Sequence, residues 1–169
     1  MTKHELRDSR ESLPSTPARQ VFEFSPKALF LKNYEQAQYH FVQFVSEHLA
    51  DCSREFDGDL QEMLVLAIVG QVTLNWRLAN APEPVAPPSI TASRLADVTG
   101  IPRQTVRRKL LSLQRRGWVE QHERAWRLAM KDGITPASKD LAALNGRGID
   151  RASRLLSAFH RLRLDDRSA

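Results

Sequence analysis

Residues 91–128, TASRLADVTGIPRQTVRRKLLSLQRRGWVEQHERAWRL, decide the fold. Thr91 predicts a helix start, because its hydroxyl can accept from the unpaired N–H groups of the first turn. Ile90 just outside and Leu95 one turn in suit a hydrophobic staple. Leu95, Ala96 and Val98 give that helix an apolar side. Gly100 stands where the backbone must reverse, and glycine enters left-handed dihedrals without steric cost. Pro102 suits the first turn of a second helix, where no N–H is needed. Val106, Leu110 and Leu113 recur at i, i+4 and i+7, one buried helical stripe, which Gly117 closes. Two short helices joined by a glycine turn make a helix-turn-helix whose second helix is the recognition helix.

Past Gly117, Trp118-Val119-Glu120-Gln121 and Arg124-Ala125-Trp126-Arg127-Leu128 read as two short strands around a polar tip, His122-Glu123. No Asn-Gly or Asp-Gly marks that turn. Ile90 is placed to add a third short strand. The expected fold is mainly α with a small β-hairpin wing: a winged helix-turn-helix plus N- and C-terminal dimerisation helices.

Charge is concentrated on the same stretch. Residues 100–127 carry eight basic and two acidic side chains, a net +6, whereas the whole chain carries +5. The remainder is therefore near neutral, and the one motif shaped to meet a polyanion holds the positive field.

The run Thr105–Glu120, T-V-R-R-K-L-L-S-L-Q-R-R-G-W-V-E, resembles the recognition helix and first wing strand of bacterial winged-helix transcription regulators. The surrounding helices look most like the MarR family, and the motif itself is similar to GntR- and IclR-type domains. The resemblance spans 89–133. It implies a homodimer paired through its terminal helices. Two features differ from the MarR pattern: the wing is short and offers only Glu123-Arg124 at its tip, and Lys109 occupies a position commonly small or apolar.

Outward from the motif, the chain divides into a flexible tail (1–24), an N-terminal helical dimerisation segment (25–58), the winged domain (59–133) and a C-terminal helical segment (134–169). The tail is polar and broken by Pro14 and Pro17. Ser25-Pro26 predicts the cap and first turn of one long helix whose Leu31, Tyr34, Phe41, Phe44, Val45 and His48 fall at helical spacing. Asp59 predicts the cap of a helix from Leu60 to about Leu78, apolar almost all round and so expected as the buried floor of the winged core. Residues 80–89 contain four prolines and read as an extended linker. Thr135-Pro136 predicts a helix closed by Gly146, and Asp150 starts another with a stripe of Ala152, Leu155, Leu156, Phe159 and Leu162. Arg151, Arg154, Arg161 and Arg163 read as its solvated side.

Phosphates supply most protein–DNA affinity and base edges the specificity. Near the N-terminal end of the recognition helix, Arg103, Gln104, Thr105, Arg107 and Arg108 lie off the apolar stripe and face the major groove. Gln104, Arg107 and Arg108 are the expected base readers, and Thr105 offers a methyl to thymine. Arg94, Lys109, Arg115 and Arg116 are the expected phosphate contacts, and Arg124 is placed to reach the adjacent minor groove. For each arginine, a phosphate contact or plain solvation stands beside the base-reading role. Trp118 and Trp126 read as core plugs under the wing.

Cys52 is the sole cysteine, which fits a reducing cytoplasm and leaves no disulfide or multi-cysteine zinc site. Some MarR-like regulators keep one sensing cysteine near an N-terminal helix, so the resemblance raises oxidant sensing as a second reading beside the favoured one, an inert small residue at a helix end. His48 and Arg54 are near enough in sequence to favour its thiolate.

No secretory signal opens the chain. The run Met63–Val69 is too short and too soon followed by Gln71, Asn75 and Arg77 to span a membrane. No phosphate-cradling glycine loop, zinc-binding His pair or nucleophile elbow is present, so neither an enzyme nor a cofactor or metal site is expected. The reading is a cytoplasmic, nucleoid-associated regulator binding double-stranded DNA as a homodimer. A cleft between the N-terminal helices and the winged domain is a candidate seat for an unidentified small-molecule effector. Two other classes stay open: a winged-helix protein-interaction module, and a nucleoid- or replication-associated DNA binder without operator specificity.

Overall fold

A computed structural model describes residues 25–79 and 88–168. The expected tail and most of the proline-rich linker lie outside the described residues. Ser25 caps the first helix, α1 (Pro26–Lys32), its Oγ accepting from the Ala28 N–H at 3.2 Å. The single long helix expected here is two. Asn33 leaves helical geometry (φ −112°, ψ 39°), and its side-chain amide donates to the Leu29 carbonyl at 3.1 Å. An asparagine that satisfies a helical carbonyl itself competes with continuation of the helix. The chain then re-enters as α2 (Tyr34–Glu55).

Asp57 and Gly58 turn the chain in left-handed conformation, and the Gly58 N–H closes α2 by donating to the Ser53 carbonyl at 2.7 Å. Asp59 caps α3 (Leu60–Leu78), accepting from the Glu62 N–H at 2.9 Å. Val65, Leu66 and Val69 of α3 are buried, but Leu64, Leu74 and Leu78 are exposed. The helix expected to be encircled by core is thus packed along one side only, where the winged elements meet it.

Those elements follow in the expected order: β1 (Ile90–Thr91), α4 (Ala92–Thr99), α5 (Arg103–Arg115), β2 (Val119–His122) and β3 (Ala125–Leu128). The Arg94 N–H donates to Thr91 Oγ at 3.2 Å, and Gly100 turns in the left-handed region at φ 70°. Pro102 precedes α5 instead of sitting in its first turn, with φ −54° and ψ 136°. α5 ends in a Schellman pair: Trp118 N–H donates to Leu113 and Gly117 N–H to Gln114, with Gly117 at φ 73°. The three strands form an antiparallel sheet in the order β1-β3-β2. Trp126 pairs with Ile90 on one side and Gln121 on the other. The hairpin tip is Glu123-Arg124, with Glu123 at φ 55° and its carbonyl held by the Gln121 amide at 3.1 Å.

One core runs through α3, α4, α5 and the sheet, with Leu95, Val106, Leu110 and Leu113 fully enclosed. Cys52 and Phe56 join it from α2, and Ala137, Leu141 and Leu144 join it from the C-terminal side. Residues on either side of positions 58/59 and 133/134 thus share one core. A second small cluster, Leu29, Ala37 and Leu162 with Phe30 and Phe159, joins α1 and α2 to the last helix.

Beyond the wing, α6 (Pro136–Asp140) is short, and α7 (Ala142–Ser168) is a single 27-residue helix. The expected stop at Gly146 and start at Asp150 are both overturned. Gly148 of α7 faces His48 of α2, where a Cβ would make an ordinary van der Waals contact, 3.4 Å from His48 Cε1. Two acids of α2 grip α7. Buried Asp51 accepts from Arg54, Arg147 and Arg151, and Glu47 from Arg151 at 3.2 Å and Arg154 at 3.0 Å. Arg151 is thus not part of a solvated row, whereas Arg154 pairs with Glu47 while staying exposed. Leu156, placed by periodicity on the apolar stripe, is exposed, while Ala158 is buried.

The Arg151 guanidinium, with Arg147 and Arg54, outweighs the burial that would raise the Asp51 carboxyl and holds it well below the usual carboxylate range. A lowered native pKa stabilises the fold above the unfolded value and loses that contribution as pH falls. Asp51→Asn is expected to lower the melting temperature at pH 7. In melting curves, its difference from the wild type should shrink as pH drops below about 4. A difference independent of pH would mean that ionisation of Asp51 is not what couples α2 to α7.

Candidate nucleic-acid interface

At 3.6 residues per turn, the buried stripe of Val106, Leu110 and Leu113 leaves Gln104, Arg108, Leu111 and Arg115 on the opposite side of α5. All four are exposed. Arg103 and Arg107, also exposed, lie along the edge toward the wing, and Thr105, Lys109, Ser112 and Arg116 along the edge toward α3.

The two edges differ in what their cations do. Lys109 was expected on phosphate, yet its ammonium pairs with Asp59 and its side chain is only 13% exposed. The Asp59 carboxylate uses both oxygens, one capping α3 and one holding Lys109. Burial would raise its pKa, but Lys109 and the Glu62 N–H outweigh that and lower it. Arg116 was also expected on phosphate. Its guanidinium lies 4.7 Å from the Trp118 ring centroid and 5.7 Å from that of Phe56, with Nε 3.6 Å from Glu62 Oε1. These two cations fasten the recognition helix to the α2–α3 corner. A sequence pattern does not reveal this, because Asp59, which holds Lys109, and Phe56 and Glu62, which meet Arg116 beside the nearby Trp118, lie about fifty or more residues earlier.

The opposite edge opens into a cleft of about 500 Å³ between α5, the start of α4 and the wing. It gathers Arg103 and Arg107 from α5, Arg124 from the wing tip, Gln121 from β2, and Thr91 and Ser93 from the start of α4. Leu111 also lines it. Arg94 is exposed on α4 but is not part of this lining, and Thr105 is half-buried on the far edge. Gln121 and Leu111 were not anticipated. Gln121 enters only through the hairpin register, and Leu111 reads in sequence as one more apolar residue beside Leu110. Trp118 and Trp126 are each 5% exposed and belong to the core beneath the wing. The Trp118 indole N–H donates to Asp140 at 2.8 Å.

Within reach of a duplex this surface can do two things. Its guanidinium groups can pair with phosphate or with guanine edges, and its glutamines can address adenine.

At Cys52 the structure favours the inert reading over the sensing one. The thiol is buried, with Sγ 3.7 Å from His48 Nε2. Burial and the neighbouring Asp51 carboxylate push its pKa up. Arg54 is engaged with Asp51, so the cation expected to favour a thiolate is spent on a carboxylate instead.

Residues 78–123 match the family model of the IclR helix-turn-helix domain. No curated protein and no solved structure shows a significant match to the chain. The match supports a winged-helix DNA-binding domain of the transcription-regulator type, and it covers β1, α4, α5 and β2, which supply the cleft's lining except Arg124 and Trp126. Among the described residues, no helix is long and apolar enough to cross a membrane.

Proposed function

We propose that the protein is a sequence-specific transcriptional regulator that binds double-stranded DNA as a homodimer on a pseudo-palindromic operator. The observation that carries this reading is the cleft in which Arg103, Arg107 and Arg124 converge beside the exposed face of a recognition helix. In it, α5 enters the major groove, Gln104, Arg107 and Arg108 address bases, and Arg94, Arg103, Arg115 and Arg124 contact the backbone. Lys109 and Arg116 keep the helix at its angle.

Homodimerisation, as in MarR-type regulators, is supported by apolar side chains left uncovered on the helical segments. Leu31, Tyr34, Phe41 and Val42 are exposed on α1 and α2, and Ile149 and Leu156 on α7. An effector is supported by a cleft of about 820 Å³ between α2, α3 and the α6–α7 corner. Its walls include Cys52, Met63, Leu66, Leu74 and Leu141, with His48 and Arg77 its basic side chains. That volume is within the range of small-molecule sites.

The test is selection of duplexes from a random pool at moderate salt. An inverted repeat with half-sites about one helical turn apart is the expected product. Binding without enrichment would point to an architectural DNA binder, and no binding at low salt to a protein-interaction module. With the selected duplex, Arg107→Ala should cost about 1–3 kcal/mol per half-site and relax the preference at one position in each. A uniform loss over all sequences would return Arg107 to the phosphate contacts.

A further inference from the structure

Leu111 is 52% exposed, and among the described residues it is the one large apolar side chain that α5 leaves open to solvent. It does not extend a patch. Its neighbours on the exposed face are Gln104, Arg108 and Arg115, and in the cleft it stands with Arg103 and Arg107. A leucine gains nothing from phosphate, and exposing it among cations costs solvation in the free protein. The edges of base pairs in the major groove present hydrogen-bonding atoms and one apolar group, the 5-methyl of thymine.

We infer that Leu111 reads thymine, packing on its 5-methyl group and acting as a specificity determinant beside the polar readers of α5. The inference rests on the DNA-binding reading above. It also moves the thymine contact from Thr105, which is half-buried on the edge facing α3, to the residue on the groove-facing side.

The test removes the methyl from the DNA. In the pool-selected duplex each thymine is replaced singly by deoxyuridine, and affinity is measured by fluorescence anisotropy for the wild type and Leu111→Ala. At one thymine per half-site the wild type should weaken about fourfold, the value of one buried methyl group. Leu111→Ala should bind the thymine and deoxyuridine duplexes alike at that position. A wild type indifferent to every deoxyuridine would overturn the inference, as would an alanine variant that keeps the full penalty. If Leu111→Ala melts early, Leu111→Gln, which keeps side-chain length and helix propensity, takes its place. Absence of any enriched sequence would overturn the DNA-reading function and this assignment together. An enriched sequence without a deoxyuridine effect overturns this assignment alone.

Discussion

Leu110→Ala is expected to lower the free energy of unfolding by about 2–5 kcal/mol. Leu110 is fully enclosed in the recognition helix, in the same core as Val65 and Val69 of α3. Truncation removes buried methyl groups and leaves a cavity that neighbouring side chains close only in part. For a chain of this size the melting temperature should fall by roughly 2–4 °C per kcal/mol. The control is the next residue: Leu111→Ala, half-exposed, should change the melting temperature little. Equal effects at the two positions would mean that α5 is not packed with the face described here.

The second large effect is on DNA binding in salt. Six exposed arginines per chain (Arg94, Arg103, Arg107, Arg108, Arg115 and Arg124) surround the candidate interface, so a dimer would displace many condensed counterions. Affinity is expected to drop about 10³-fold or more between roughly 50 and 200 mM monovalent salt. Within that measurement, Arg115→Ala should reduce the slope of log K against log salt by about two, one for each subunit of the dimer. Lys109→Ala should leave the slope unchanged and show its effect in thermal stability, because Lys109 is already paired with Asp59. A slope that changes equally for both variants would place Lys109 on phosphate after all.

The pair Lys109 and Arg115 illustrates how far local sequence reaches. Both are basic, both lie on one helix, and composition treats them alike. The difference is a partner about fifty residues earlier in the chain, which only the packing of α3 against α5 brings near. Arg151 repeats the point on a larger scale: it reads as one of a solvated row but lies against Asp51, a hundred residues earlier. Gly146 shows the converse: a glycine in a polar stretch reads as a helix end, yet α7 runs through it unbroken.

What the sequence by itself determined is everything carried by interactions within about one turn or one hairpin. The Thr91 and Asp59 caps, the left-handed Gly100 and Gly117, and the 3.6-residue stripe of Val106, Leu110 and Leu113 bond to or pack beside near neighbours. They made the winged helix-turn-helix and its basic face legible. The tertiary structure alone decided which cations remain available to a ligand, where α7 runs unbroken, and that Leu111 and Gln121 share a cleft with three arginines. Those outcomes depend on residues far apart in the chain becoming neighbours. A charge or an apolar side chain takes its role from what the fold places beside it, which periodicity along one element does not encode.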